Sequence, residues 1–328
     1  MKVLLASPRL ARVVPNLQKR LPKDIHWIIP KTGSKEELIR LARDVEVIVC
    51  VRLSAEVVYS AEKLKLIQKT GAGVDAIPFQ ALRNDILVAN TSGSNPIPMA
   101  EGAVALVFAL AKRIVQRHNR FQQGERKRDR GVLLRDKKIG IIGFGSIGKE
   151  VTRLLQSVGI KILALKRHPS ESLKTKFGLD FLGGPNDLDY LLQESDFVVL
   201  TVPLTPETRG MIGERELRLM KQTAYIVNVA RAAIIQEEPL YRALTKGWIA
   251  GAAIDVWWPP HWWDPSWNPN GKKPLYPIWQ LPNVIAIPHS IGSTDTNSDA
   301  GLSVIAENIY RFYEGKPLVN QVDKKLQY

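Results

Sequence analysis

Short apolar runs alternate with helix-like segments along almost the whole chain, and this alternation restricts the fold more than any other feature. Runs at 2–7 (KVLLAS), 25–29 (IHWII), 45–51 (VEVIVCV), 64–69 (LKLIQK) and 86–90 (ILVAN) have the length and β-branched content of buried strands. Segments 35–43 and 54–61 fall between them with helical spacing, the second with Ser54 at a candidate N-cap. Strands separated by helices call for a parallel sheet, because parallel neighbours need a crossover connection. A second series follows, with strands expected at 137–143, 160–166, 195–202, 223–229, 249–256 and 283–288. Its helices are expected at 147–158, 187–194, 213–221 and 238–246. Between the two series the sequence predicts one long helix from about Pro98, whose prolines suit a helix start and which meets no breaker before Gly124. A last amphipathic helix, about 295–315, is expected to pack back on the first unit. The fold class is therefore α/β, with parallel sheets flanked by helices and a unit at 96–291 inserted into a discontinuous unit of 1–95 and 292–328.

At 328 residues the chain is long enough for two cores, and 45% hydrophobic against 24% charged residues predicts a folded protein. The longest apolar run, AVALVFALA at 103–111, is too short to cross a bilayer, and the run after Met1 is too short for a secretory signal. No membrane partner is expected. Cys50 is the only cysteine, so no intrachain disulfide can form and a reducing, cytoplasmic setting is the expectation. The net charge of +14 raises nucleic acid as a partner, and residues 112–138 hold eleven Lys/Arg against three Asp/Glu. No helix-turn-helix, zinc site or aromatic RNA platform accompanies that stretch, so it reads as a solvated connection and no nucleic acid is expected. A positive field also suits a small anionic substrate or cofactor. No metal centre is expected.

The second series opens on KIGIIGFGSIGKE, which sets Gly143, Gly145 and Gly148 as G-x-G-x-x-G between a strand and a helix. The first glycine permits a tight turn, the second close backbone approach to a pyrophosphate, and the third helix–strand packing. Phe144, Ser146 and Ile147 complete the candidate loop, and the helix start offers N–H groups to phosphate. The motif alone is weak, but its strand–loop–helix–strand setting makes it specific for a dinucleotide. The next strand ends in Lys166, Arg167 and His168, where an NAD site usually places an acidic residue for the ribose hydroxyls. Cations there would pair with a 2′-phosphate, so NADP(H) is expected in preference to NAD(H); a solvent-facing strand end is the alternative.

With these motifs in order, the chain resembles the D-isomer-specific 2-hydroxyacid dehydrogenase family over essentially its whole length. The matching stretches are GAGVDAIP (71–78), the glycine loop, TVPLTPETRGMI (201–212), YIVNVARAAII (225–235), GAAIDVW (251–257) and LPNVIAIPHSIGST (281–294). The resemblance implies two Rossmann-like domains, the inserted one binding cofactor and the other substrate, with the active site in the cleft, and a homodimer. It implies hydride transfer between a nicotinamide cofactor and a small anionic 2-oxo or 2-hydroxy acid of the glyoxylate or hydroxypyruvate class. Arg231 would hold the carboxylate and carbonyl oxygen with its planar fork, and His289 would donate or remove the proton. The turn at Ala72 and Gly73 is similar to the family's carboxylate-binding turn, and Arg52, Leu53 and Asn95 match substrate-proximal positions, with plain turn or capping roles as the alternative for Arg52 and Asn95. Val202, Pro203, Thr208, Val229, Ala230 and Gly292 match cofactor-lining positions, and Asp255 the aspartate that hydrogen-bonds the nicotinamide carboxamide.

Three departures stand out. Ala232 follows Arg231 where relatives carry glycine. The position matching the family's glutamate, which orients the histidine, is Pro260, and Asp264 is the weak candidate substitute. Five of the eight tryptophans crowd into 257–267, an insert that could exclude water, narrow the pocket or pack against a dimer partner. These departures keep two other readings open. One is a formate- or phosphite-type dehydrogenase, and the other a non-catalytic protein that senses dinucleotide.

Overall fold

The computed structural model describes every residue except 261, 263–267, 269, 270, 296 and 297, and the side chain of Ser298. The chain forms two compact units, Met1–Asn95 with Asp295–Tyr328, and Pro96–Thr294. Gly292, Ser293 and Thr294 thus belong with the second unit.

In the first unit, strands β1 (Lys2–Leu5), β2 (His26–Ile28), β3 (Val47–Cys50), β4 (Leu66–Lys69) and β5 (Leu87–Ala89) form one sheet in the order β2-β1-β3-β4-β5. Every pairing is parallel. β3 and β4 are buried along their whole length, as expected of strands covered on both faces. The helix Ser298–Tyr313 sets Leu302, Ile305 and Ile309 on one face of this sheet, beside Val3, Leu5 and Leu66. Burying each such side chain contributes roughly 1.5–3 kcal/mol. Ser54 sits in the N-cap position of helix Ala55–Ser60 but its side chain makes no capping bond.

In the second unit, β6 (Lys138–Ile142), β7 (Lys161–Leu165), β8 (Phe181–Gly183), β9 (Phe197–Leu200), β10 (Tyr225–Asn228), β11 (Gly251–Ile254) and β12 (Val284–Ala286) run in the order β12-β11-β10-β9-β6-β7-β8. All of these pairs are parallel. The order reverses between β6 and β9, which makes the carboxyl end of β6 a topological switch point. β8, three residues long and entered from a helix at Glu171–Phe177, has too short an apolar run to be legible in the sequence.

The expected long helix is two helices, Pro96–Ala111 and Ile114–Gln122. Arg113 between them is left-handed at φ 53°. Segment 131–132 takes the place of the missing turn. The Val132 N–H donates to the Ala111 carbonyl at 2.7 Å, and a Cβ on Gly131 would stand 2.8 Å from that oxygen. Asp129 then pairs with both Arg113 and Arg120. No helix of the described residues is long and apolar enough to cross a membrane.

Candidate functional site

Parallel pairing sends the loop after each strand of the second unit to one edge of the sheet, and most of the expected cofactor and catalytic residues lie there. Gly143 turns at φ +106°, and a Cβ on it would sit 2.7 Å from the Val202 nitrogen. The Thr201 hydroxyl donates to the Gly143 carbonyl at 2.7 Å, closing the β6 and β9 loops on each other. A Cβ on Gly148 would stand 2.6 Å from the Gly143 carbonyl oxygen, so only glycine lets the helix Ser146–Gln156 start this close to the strand. Gly145 is different. A Cβ there would meet nothing within 4 Å. The first in-helix bond runs from the Lys149 N–H to the Gly145 carbonyl, so the N–H groups of Ser146, Ile147 and Gly148 have no acceptor inside the helix. Open space beside Gly145, next to a positive helix end, fits the pyrophosphate of a dinucleotide. Phe144 is buried under the turn, edge-on to Phe177.

At the end of β7, Lys166 and Arg167 are half-buried and His168 is exposed. The Arg167 guanidinium pairs with the carboxylate of Glu207, in the loop after β9. Thr208 supports that loop: its hydroxyl donates to the Pro203 carbonyl at 2.6 Å and accepts the Thr205 N–H at 2.9 Å. Val202 is half-buried and Pro203 exposed.

After β10, buried Asn228 shapes the turn that presents Arg231. Its amide donates to the Arg231 carbonyl at 2.9 Å, and its Oδ1 accepts the Ala230 N–H at 3.1 Å. Arg231 itself is extended, and its Nη1 donates to the Ala230 carbonyl at 2.8 Å. Val229 is buried and Ala230 half-buried. Ala232 enters a 3-10 helix at Ala232–Ile234 with no positive φ, so the alanine for glycine exchange meets no backbone obstacle. Asn228 was not among the expected site residues; its signal was a polar residue closing an otherwise apolar strand.

Asp255, after β11, is fully buried and its Oδ1 accepts the N–H groups of Ser290 at 2.8 Å and Ile291 at 3.2 Å. Burial pushes its carboxyl up to about 6, against the lowering effect of backbone bonds from residues 289, 290 and 291. The resemblance assigns Asp255 to a carboxamide; in the structure its Oδ1 serves the backbone that carries His289. The indole N–H of Trp257 donates to the Ile287 carbonyl at 2.7 Å, a second tie between the ends of β11 and β12. Between these ties His289 is exposed and left-handed at φ 54°, an uncommon conformation for a non-glycine residue and one that concentrates at functional sites. Gly102 guards the same segment from the helix Pro96–Ala111: a Cβ there would stand 2.6 Å from the Ile291 carbonyl oxygen. Gly292 is buried.

The tryptophan stretch divides. Trp257 is core, with Trp279 edge-on to it at 6.5 Å, and the Trp258 indole donates to the Ile235 carbonyl at 3.2 Å. Trp262 packs on Trp279 at 4.9 Å. Pro260 is exposed and carries no acceptor, while Asp264, its candidate substitute, lies outside the described residues, as do Trp263 and Trp267.

In the first unit the expected substrate residues also follow strand ends. Arg52 and Leu53 follow β3, Leu53 being buried with its N–H on the Ala76 carbonyl at 3.1 Å. Lys69, buried at the end of β4, donates to the Val51 carbonyl and so holds the base of that loop. Ala72 and Gly73 follow β4, and the Asn90 amide fixes their turn through the Ala72 carbonyl at 2.8 Å. Asn95 is half-buried at the last position of this unit, before the helix at Pro96.

Residues 104–290 match the family model described as D-isomer specific 2-hydroxyacid dehydrogenase, NAD binding domain. The chain is 34% identical over 314 residues to a glyoxylate reductase of Thermococcus litoralis, covering 92% of this chain and 89% of that one. It is 35% identical to a D-3-phosphoglycerate dehydrogenase of Archaeoglobus fulgidus across 98% of its own length, yet spans only 59% of that longer protein. Among solved structures, D-lactate dehydrogenase of Aquifex aeolicus, complexed with NAD and lactic acid, superposes with a TM-score of 0.83 at 28% identity, covering 96% of each chain.

Proposed function

Since this chain belongs to the D-isomer-specific 2-hydroxyacid dehydrogenase family, we propose that it reduces small 2-oxo acids of the glyoxylate or hydroxypyruvate class with NADP(H), and oxidises the matching 2-hydroxy acids in reverse. One observation carries the reading: a single sheet edge sets the glycine turn at its switch point and Arg231 and His289 after β10 and β12, with β11 between those two. A nicotinamide dinucleotide held by the Gly143–Gly148 turn would supply the hydride in reduction and take it up in oxidation. Arg231 binds the carboxylate and polarises the carbonyl oxygen. His289 delivers the proton to that oxygen during reduction and removes it from the hydroxyl during oxidation. Ala72, Gly73, Arg52, Leu53 and Asn95 make further substrate contacts in this reading, and Val202, Pro203, Thr208, Val229, Ala230 and Gly292 line the cofactor.

Lys166 and Arg167 at the end of β7 support the preference for NADP(H), because no carboxylate of the strand end itself repels a 2′-phosphate. The test is steady-state reduction of a panel of 2-oxo acids with NADPH and with NADH. Turnover with a several-fold lower KM for NADPH is expected; a clear NADH preference sinks the cofactor assignment.

We further assign a homodimer, supported by Ile114, Phe121 and Leu133, three large apolar side chains exposed by 54%, 63% and 71% along one basic segment. A reducing, cytoplasmic setting suits a chain whose single cysteine, Cys50, is a buried thiol.

A further inference from the structure

We propose that Glu207 is a cofactor-specificity residue: its carboxylate occupies Arg167 where a ribose 2′-phosphate would bind, and it thereby sets how strongly the chain discriminates between the two nicotinamide dinucleotides. The inference rests on the dinucleotide reading of the glycine loop and is independent of which cofactor the wild-type chain prefers.

The pair joins the end of β7 to the loop after β9, and β6 lies between those two strands. The bridge therefore spans the carboxyl end of β6, where the Gly143 turn stands. Glu207 is not on a loose loop. Thr205 and Thr208 hold each other through two backbone-to-hydroxyl bonds, and the Arg209 N–H donates to the Thr205 carbonyl at 3.0 Å. Those bonds fix the backbone on either side of Glu207, whose carboxylate reaches the Arg167 guanidinium. The Glu207 side chain is still 64% exposed, whereas that of Arg167 is 27% exposed. Releasing Glu207 to water therefore costs little, while Arg167, the more buried of the two, stays at the strand end to meet another anion.

A guanidinium offers the same fork of donors to a carboxylate and to a phosphate. A 2′-phosphate carries nearly two charges against one, so it displaces Glu207 and recruits Arg167. With an unphosphorylated ribose Glu207 stays in place, and the cation remains paired. The chain can then accept either dinucleotide, and Glu207 reduces the advantage of the phosphorylated one.

Calorimetric titration with 2′,5′-ADP and with 5′-AMP isolates the 2′-phosphate from hydride chemistry. For Glu207→Gln the Kd for 2′,5′-ADP should fall about three- to tenfold, with that for 5′-AMP changing less than about twofold. Arg167→Gln should abolish most of the discrimination, and adding Glu207→Gln to it should change nothing more. Glu207→Lys, a second variant, should move the ratio the same way and further. Equal changes for both nucleotides, or none, overturn the proposal. A wild-type chain that binds 5′-AMP as tightly as 2′,5′-ADP, while Glu207→Gln still tightens 2′,5′-ADP alone, sinks the NADP(H) preference and leaves the role of Glu207 standing. Binding of neither nucleotide by the wild-type chain overturns both.

Discussion

At the residue scale, Asp255 and His289 form one device. A left-handed histidine is kept in place by the aspartate beneath its loop, and the aspartate is itself costly to bury. Its folded pKa of about 6 lies above the usual carboxylate value, so between the two the folded chain binds more protons than the unfolded one. Stability must then fall as pH rises from about 4 to about 6, and stay low above that range. Asp255→Asn keeps an acceptor for the Ser290 and Ile291 N–H groups and removes the charge. It should stabilise the fold by on the order of 2 kcal/mol at neutral pH, and little at pH 4, as read by denaturant melts. A stability gain independent of pH would contradict this account of the site. His289→Asn tests the other half. Asparagine tolerates the left-handed backbone, so the melting temperature should hold while kcat falls about 10²- to 10⁴-fold. Arg231→Lys keeps the charge but loses the planar fork, and should lower kcat/KM by about tenfold or more with unaltered melting.

At the scale of elements, the three glycines of the turn separate structure from binding. Gly145→Ala places a methyl in open space, so melting should hold while cofactor Kd rises at least about tenfold. Gly102→Ala should do the reverse. Its methyl would meet the Ile291 carbonyl, costing about 1–3 kcal/mol in stability and dragging down kcat through the His289 loop, both measurable on one purified variant. The strands were legible because β-branched runs such as 45–51 and 195–202 are long and bounded by turns. The break at Lys112–Arg113 was not, since it is made by Gly131 and Val132, about twenty residues away, taking over the Ala111 carbonyl. The Asp255 clamp was hidden for the same reason. Its acceptor and its donors sit on different strand ends, and only the β11–β12 pairing brings them together. Glycine spacing, in contrast, is local, and the chain does turn tightly at Gly143 and start a helix close to the strand at Gly148.

At the scale of the whole molecule, the basic charge is partly met from within. Part of it is answered within the chain, Asp129 binding both Arg113 and Arg120, and the rest suits a chain whose proposed substrate and cofactor are anions. If the apolar side chains of that segment meet a second copy, Phe121→Glu combined with Leu133→Glu should shift sedimentation from dimer to monomer; an unchanged dimer would place the interface elsewhere. The proposed reaction is hydride transfer to a 2-oxo acid, with Arg231 and His289 as the groups that hold and protonate it. Its most direct test is loss of the reduced-nicotinamide absorbance band when glyoxylate or hydroxypyruvate is added to the purified protein with NADPH. Turnover that His289→Asn and Arg231→Lys each suppress is the predicted result. No turnover on any 2-oxo acid by a chain that still binds the dinucleotide would contradict it, and would make the protein a dinucleotide-binding one without this chemistry.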